Sequence, residues 1–564
     1  INLYSILMLI TKFLHNCLNE ALQKLIDEQN ITNFNPPEYV VEKPKNKNHG
    51  DYATNLPMQL AKTFKENPIT IANKIKDNID ENDIEEVSVA NPGFINFRLS
   101  KSWLEKEILK CIEQKDDFGN QNEKNKKVQV EFVSVNPTGK LHLGHIRGAV
   151  IGSTISNVLE SQNFSVTREY YVNDAGNQID FFCKSIIERI KELQGKKFNI
   201  TEEMYGGIDI IDISKKIISK YPFYQNYNFS EISEDELENL KKISIEICIN
   251  EIMTDLKSLN IYHDNWFYES SLIDSKYLDK TIDILNKLNL IYIKDGATWI
   301  KTEELGDDRD NVLFKSIDKK STYFATDIAY HRDKFKERFF DNVINVWGSD
   351  HHGHIKRMKL ILEKLEINSD DLDVILNQIV SLKSNNKTVK FSKRSGNSIF
   401  LSEIVEEIGA DACRFSFLSR SSESQMEIDL DLFKNKSSEN PVFYIQYAHA
   451  RLCSILKKAN EKHVDYEAKK ILSLKTTEEI NLAKKISEFP ELLHRISKNY
   501  GVHELTFFAL ELSQLIQKFY ENNRVFDKTS KDNEITKSRL IITKASKITL
   551  ANLLSLMGMS SPEE

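Results

Sequence analysis

The sequence predicts three parts: an N-terminal α+β segment, a middle α/β segment built on a parallel sheet, and a C-terminal all-α helical bundle. Three observations predict it. In the middle, a β-rich run from Val128 to Val135 precedes a helix candidate, Gly144 to Leu159, and a second run, Ser165 to Val172. Strand, helix, strand in that order implies parallel strands joined by a right-handed crossover. Near the end, Leu505, Phe508, Ala509, Leu512, Leu515, Ile516 and Phe519 repeat at helical spacing and form one apolar stripe, which a bundle buries. At the start, helical patterns lead to a strand-like stretch, Phe94 to Leu99.

The boundaries follow from composition. The chain has 564 residues, and one domain per roughly 150 residues gives three or four domains. The polar stretch Asp116 to Lys127 lacks apolar periodicity and reads as a linker. Lys434 to Asn440 reads as another, with Pro441 placed to start a helix. The expected domains are therefore 1–115, 116–430 and 431–564, with the polar, helix-like stretch 190–265 as an insertion. A short apolar run, Val343 to Trp347, is followed by a Gly-Ser-Asp loop and a helix from His354 to Leu365.

A chain 40% hydrophobic and 28% charged fits a folded globular protein and not a disordered one. No apolar run reaches about 18 residues, so no membrane association is expected. Leu3 to Leu14 is apolar but carries Thr11 and Lys12, with no basic stretch before it, and reads as a buried first helix. Cys17, Cys111, Cys183, Cys248, Cys413 and Cys453 show no C-x-x-C spacing, so no zinc site is expected. Scattered thiols point to a cytoplasmic protein. The net charge of −8 leaves nucleic acid open as a partner, because an RNA binder needs a local basic surface and not a basic total.

Two constellations carry chemistry. The first is His142-Leu143-Gly144-His145, which follows a strand and an Asn136-Pro137-Thr138-Gly139 turn and opens a helix. A helix N-terminus offers unpaired amides and a positive dipole end, which suit phosphate. Imidazoles there can donate to phosphate oxygens, and Gly144 lets a flat base approach the backbone. Taken alone, two histidines near a glycine read as readily as structural residues. The second is Lys390-Phe391-Ser392-Lys393-Arg394, followed by Ser395-Gly396-Asn397. Lysines on such a loop can stabilise charge on a triphosphate. Alone, it reads as a solvated basic turn.

Together, in this order, the two resemble the HIGH and KMSKS signatures of class I aminoacyl-tRNA synthetases, with Phe391 where methionine is usual. The longer stretches V-E-F-V-S-V-N-P-T-G-K-L-H-L-G-H-I-R-G-A-V from Val130, R-E-Y-Y-V-N-D-A-G-N-Q-I from Arg168 and S-T-Y-F-A-T-D-I-A-Y-H from Ser321 are similar to arginyl-tRNA synthetases. So are V-W-G-S-D-H-H-G from Val346, G-A-D-A-C-R-F from Gly409, N-P-V-F-Y-I-Q-Y-A-H-A-R from Asn440 and, near the N-terminus, N-H-G-D-Y-A-T-N from Asn48 and N-P-G-F-I-N-F-R-L from Asn91. The similarity covers nearly the whole chain and is loose only over 190–265.

The resemblance implies a Rossmann-like catalytic domain that joins L-arginine to tRNA(Arg) through an arginyl-adenylate. ATP is the other substrate, with Mg²⁺. It implies a monomer and catalytic roles for His142, His145, Lys390 and Lys393. ATP contacts fall to those four with Gly144, Ser392 and Asp350. Arginine contacts fall to Glu131, Asn136, Tyr323, Asp327 and His351. A planar, permanently charged guanidinium is best held by forked acceptors, which makes Asp327 the favoured grip, with Tyr323 one helical turn away. Asp350 has a second reading, as a helix cap. Phe94 and Asn96 match positions that touch the tRNA elbow, and Tyr520 one that stacks on anticodon bases, although helix packing is an equal reading of Tyr520. Lys140 departs from the proline expected there, either to add a phosphate contact or to sit in solvent. The ending Pro562-Glu563-Glu564 departs from the family's P-E-R-M, which is expected to weaken anticodon contacts.

Overall fold

A computed structural model describes residues 9–31, 34–79, 83–121, 126–315, 321–384, 387–389, 399–466, 472–526 and 534–564. The N-terminal part opens with a helix, Ile10–Glu28, whose Leu14, Leu18, Leu22 and Leu25 are buried on one face. It packs with a four-stranded antiparallel sheet in the order 41–42, 52–54, 94–99, 84–90. The strand Phe94–Leu99 forms as its alternation predicts.

The middle part is the frame of the molecule. In chain order its elements are β1 (Lys127–Glu131), α1 (Leu143–Ser161), β2 (Ser165–Val172), α2 (Asn177–Leu193), α3 (Ile208–Lys220), α4 (Glu234–Ser258), β3 (Asn265–Tyr268), α5 (Tyr323–Lys336), β4 (Asn342–Gly348), α6 (His352–Lys364) and β5 (Leu372–Asn377). The five strands make one parallel sheet in the order β5-β4-β1-β2-β3. Val130, Phe132, Tyr170, Val172, Val343 and Ile344 are fully enclosed, as expected for strands covered on both faces. Strand order reverses between β1 and β4. In open parallel sheets the crevice beyond the strand C-termini at such a reversal is where ligands bind. Helices α2, α3 and α4 interrupt the alternation and share a core of their own, including Phe182, Ile186, Ile213, Ile217, Leu240 and Cys248.

The β-rich run from Val128 ends as a strand at Glu131, not at Val135. Val133 and Ser134 adopt φ of 72° and 43°. A β-branched residue in the left-handed region is rare and is held only by its surroundings. Those surroundings are the next strand: Phe132 N–H donates to Glu169 O at 3.3 Å, Ser134 Oγ accepts from Tyr171 N–H at 3.1 Å, and Tyr170 Oη donates to Val135 O at 2.7 Å. The kink turns the chain out of the sheet and delivers Asn136 to the rim of the crevice.

After β5 the chain forms β6 (Val380–Ser384) and β7 (Lys387–Val389). It then continues through α7 (Leu401–Ile408), α8 (Ala410–Leu418) and β8 (Met426–Asp429). Strand β6 pairs antiparallel with β7 and parallel with β8. The C-terminal part is all helix. Its long members are α9 (Pro441–Glu461), α10 (His503–Asn522) and α11 (Glu534–Leu556). Pro441 is the first residue of α9, and Asn440 caps it by accepting from Val442 N–H at 3.0 Å. Within the stripe from Leu505 to Phe519, six of seven residues are buried and Leu515 is half-buried. Among the described residues, no helix is long and apolar enough to cross a membrane.

Helix α1 lies close against the end of β1. A Cβ on Gly152 would lie 2.3 Å from Phe132 Cγ and 2.4 Å from Phe132 Cβ, at the rigid base of that side chain. Overpacking of this kind costs about 1–3 kcal/mol. Gly152→Ala is therefore expected to lower the melting temperature more than Gly148→Ala, where the nearest atom is Asn377 Nδ2 at 3.3 Å. Equal losses in a thermal melt would mean that Phe132 does not set the helix–sheet distance.

Candidate active site

Three features lie at the C-terminal edge of the sheet. The first is the helix start. His142 is the N-cap of α1, and its Nδ1 accepts from Gly144 N–H at 3.2 Å. His142 N–H in turn donates to His145 Nδ1 at 3.3 Å. With both Nδ1 atoms accepting, the neutral tautomers carry their protons on Nε2. The rings lie 3.6 Å apart between centroids with 31° between their planes. A Cβ on Gly144 would press on the His142 ring at 3.2 Å, so glycine keeps this pairing undisturbed.

The second feature ties the helix start to the chain that follows the second signature. Leu143 N–H donates to Ile399 O at 3.2 Å, Leu401 N–H donates to Leu141 O at 2.9 Å, and His142 bridges Phe400 in antiparallel fashion. Lys140 Nζ sits 5.6 Å from the centre of the Phe400 ring and 3.8 Å from Asp212 Oδ2. Residues 399–401 follow Lys390-Phe391-Ser392-Lys393-Arg394 by a handful of positions. Those five residues, Lys390, Ser392 and Lys393 included, lie outside the described residues.

The third feature is acidic. Helix α5 begins at Tyr323 and carries Asp327, as their four-residue spacing predicts. Asp327 Oδ2 accepts from His354 Nε2 of α6 at 2.9 Å. Tyr323 is 54% exposed. Partial burial raises its phenol pKa, with Asn173 and Glu269 beside it. Asn136 Nδ2 donates to Gln178 Oε1. The Asn173 amide, turned to satisfy its neighbours, donates to Glu269 Oε2 at 3.0 Å and to Ala175 O at 3.0 Å. Glu269 is 5% exposed, and among the described residues no lysine or arginine pairs with it. Burial, followed by the charge of Asp327, pushes its carboxyl up to about 7. A buried carboxylate is normally matched by a cation. Among the described residues Glu269 has no such match; hydrogen-bonding groups of Tyr171, Thr326 and Asn173 are what it has instead, with Asp327 close by.

The other predicted residues fall elsewhere. Glu131 is buried on β1, and its Oε2 takes Lys334 Nζ of α5 at 2.6 Å. Lys334 also donates to Asn345 Oδ1 at 3.1 Å. Glu169 is matched in the same way, by Arg338 at 2.5 Å. Asp350 and His351 form a short turn at the end of β4, where the apolar run predicts a strand edge. The Asp350 side chain is 84% exposed and makes no cap hydrogen bond, so the cap reading of Asp350 is not realised. Asn96 is 4% exposed within its sheet, and Phe94 is half-buried at the strand start. Tyr520 is exposed on α10, and Arg451 of α9 lies 4.7 Å from its ring centre and 4.6 Å from that of Tyr447. Tyr447 stacks on Phe443, which makes an outward aromatic row.

Sequence reasoning missed Glu269, Asn173, Gln178 and Lys334. Asn173 and Gln178 stand inside the stretch from Arg168, and Glu269 directly follows the strand residues W-F-Y. Phe443, Tyr447 and Arg451 stand four apart on one helix face, a spacing that was open to view.

Comparison with known proteins gives the class first. Residues 107–425 match the family model described as tRNA synthetases class I (R), catalytic domain. Residues 12–99 match the arginyl tRNA synthetase N terminal domain, and 445–564 the DALR anticodon binding domain. The chain is 42% identical over 548 residues to an arginine–tRNA ligase of Dehalococcoides mccartyi, covering 97% of each chain. It is 41% identical over 531 residues to arginine–tRNA ligase 1 of Halalkalibacterium halodurans, covering 93% of this chain and 94% of that one. Its fold matches Thermus thermophilus arginyl-tRNA synthetase with a TM-score of 0.76 at 20% identity, over 98% of this chain and 100% of that one. The chain belongs to the arginyl-tRNA synthetase family.

The uncompensated Glu269 sets a pH dependence. Its folded pKa is raised from 4.5 to about 7, so the stability it contributes is full below 4.5 and is lost as pH rises through about 7. Glu269→Gln is expected to raise the melting temperature at pH 8 and to leave it unchanged at pH 5. A gain of the same size at both pH values would show that no buried charge is being relieved.

Proposed function

We propose that this chain performs the arginine–tRNA ligation of its family with the crevice at the β1/β4 reversal as its active site. The observation that carries the proposal is a buried carboxylate without a cation among the described residues, Glu269, close enough to Asp327 to feel its charge. In this reading the arginine guanidinium lies between Asp327 and Glu269, flanked by Tyr323, while Asn136 and His351 face the amino-acid backbone. Lysine is disfavoured because a compact ammonium lacks the planar fork of donors that fills acceptor sites shaped for a guanidinium, and a buried acceptor left unpaired costs about 1–3 kcal/mol. Glu131 enters through Lys334, which anchors α5 and so holds Tyr323 and Asp327 in place.

The first step is attack of the arginine carboxylate oxygen on the α-phosphorus of ATP. A phosphorus–oxygen bond forms to arginine and the bond to pyrophosphate breaks. The carboxylate is already a nucleophile, so no general base is needed. Catalysis is positioning and charge stabilisation. The Nε2–H groups of His142 and His145 donate to phosphate oxygens, backed by the amides of the first turn of α1. Lys390 and Lys393 meet the departing pyrophosphate, and Gly144, Ser392 and Asp350 complete the nucleotide contacts. Mg²⁺ would accompany ATP as part of the substrate and would offset charge on the triphosphate. Among the described residues, no group of three or more His, Cys, Asp or Glu side chains is arranged to hold a metal.

In the second step the terminal ribose 2′-OH of tRNA attacks the adenylate carbonyl. The bond from the carbonyl carbon to the phosphate oxygen breaks, and the hydroxyl proton passes to the phosphate of the departing AMP. The row Phe443, Tyr447 and Tyr520, with Arg451 between two rings, offers stacking for anticodon bases, worth about 1–3 kcal/mol each. Phe94 is the better placed elbow contact, since Asn96 is enclosed.

Asp327→Ala is expected to weaken arginine binding measured by calorimetry and to leave ATP binding nearly unchanged; equal loss of both would refute the pocket. Lys393→Ala should lower the turnover of arginine-dependent ATP–pyrophosphate exchange, run with tRNA present. A rise in the Michaelis constant for ATP with turnover intact would contradict its role in the transition state.

A further inference from the structure

We propose that Arg147 is a positioning residue for ATP activation, because its guanidinium locks the first turns of α1 to the chain on both sides of the Lys390–Arg394 excursion. The proposal rests on the phosphate-clasp reading above. Arg147 stands two positions after His145 and is fully enclosed. Its Nη1 donates to Gln378 O at 3.0 Å and to Ser424 O at 2.7 Å, and its Nη2 donates to Ser421 O at 2.7 Å. Gln378 N–H donates to Ser422 O at 3.0 Å, which closes the cluster. Its Nε has no partner, and among the described residues no carboxylate forms an ion pair with it. Burial lowers its pKa to about 10.

An enclosed cation without a counter-charge costs stability that an apolar side chain of similar volume would not. What the guanidinium supplies here is geometry, since one planar fork satisfies three carbonyls from two segments distant in sequence. Those segments have a particular place in the chain. Gln378 lies between β5 and β6, and Ser421 and Ser424 lie between α8 and β8. From Gln378 the chain runs through β6 and β7, carries the five basic-loop positions, and returns at Ile399–Leu401 to pair with Leu141–Leu143. One stretch, residues 141–147, thus holds described chain before and after these positions: Arg147 holds Gln378 ahead of β6 and Ser421 and Ser424 ahead of β8, and the backbone pairing holds residues 399–401. Arg414, the other enclosed arginine, also donates to carbonyls, but at Met557 and Leu259, away from the crevice.

The test compares Arg147→Met, which fills the volume without donors, with Arg147→Lys, which keeps one ammonium. Arginine-dependent ATP–pyrophosphate exchange with tRNA present, arginine binding by calorimetry and a thermal melt are measured on each full-length variant. Misplacement of a catalytic group by about 1 Å can cost about a hundredfold, and a loss of turnover of about that size is expected for Arg147→Met, with arginine affinity kept within about twofold. Arg147→Lys should recover part of the turnover, and millimolar methylguanidinium should partly restore Arg147→Ala. Unchanged turnover in folded Arg147→Met would overturn the proposal, as would a parallel loss of turnover and arginine binding. Should Arg147→Met not fold, Arg147→Lys decides by the same measurements. Lys393→Ala is the control: if it leaves turnover intact, the phosphate-clasp reading fails independently of Arg147.

Discussion

Two backbone hydrogen bonds hold the start of α1 against a segment distant in sequence. Leu143 N–H to Ile399 O and Leu401 N–H to Leu141 O sew the start of α1 to the chain that follows the basic loop, across some 250 positions of sequence. Without that pairing, His142 and His145 would be two histidines at a helix tip and the lysines a basic turn elsewhere. With it, His142 lies beside residues 399–401, a few positions after Lys390–Arg394 in the chain. The parallel sheet makes the pairing possible, because its order reverses between β1 and β4 and leaves a crevice where the loops meet.

The second organising constraint is charge balance. Glu131, Glu169, Glu269 and Asp327 all lie in or beside the central sheet. Glu131 has Lys334 and Glu169 has Arg338, each within a normal ion-pair distance. These two are already neutralised, and they hold α5 and the turn that follows it against the strands. Asp327 has only the imidazole of His354, and Glu269 has no basic partner among the described residues. A low-dielectric pocket with unmatched negative charge costs the empty protein stability and gives it back to a ligand bearing a flat cation.

Much of this was legible in the sequence. The strand–helix–strand order, the C-terminal apolar stripe and the strand 94–99 follow from periodicity alone, because covered strands and amphipathic helices leave strong local patterns. The two signatures and the Tyr323–Asp327 spacing were legible for the same reason: each is local. What was not legible is long-range. Glu269 looks like any carboxylate after a strand until α5 is seen to bury it. Glu131 looks like a free acid until Lys334, some 200 positions later, is placed against it. The run from Val128 was read past its end, since nothing in a β-branched sequence announces that Val133 will be held at positive φ by the next strand. Asp350 had the composition of a cap and the position of none.

The most direct test of this account is a structure of the full chain bound to a non-hydrolysable arginyl-adenylate analogue. The account predicts the guanidinium between Asp327 and Glu269, and the phosphate within hydrogen-bonding distance of Nε2 on His142 or His145. An analogue seated away from the helix tip, or a guanidinium held by other carboxylates, would contradict it.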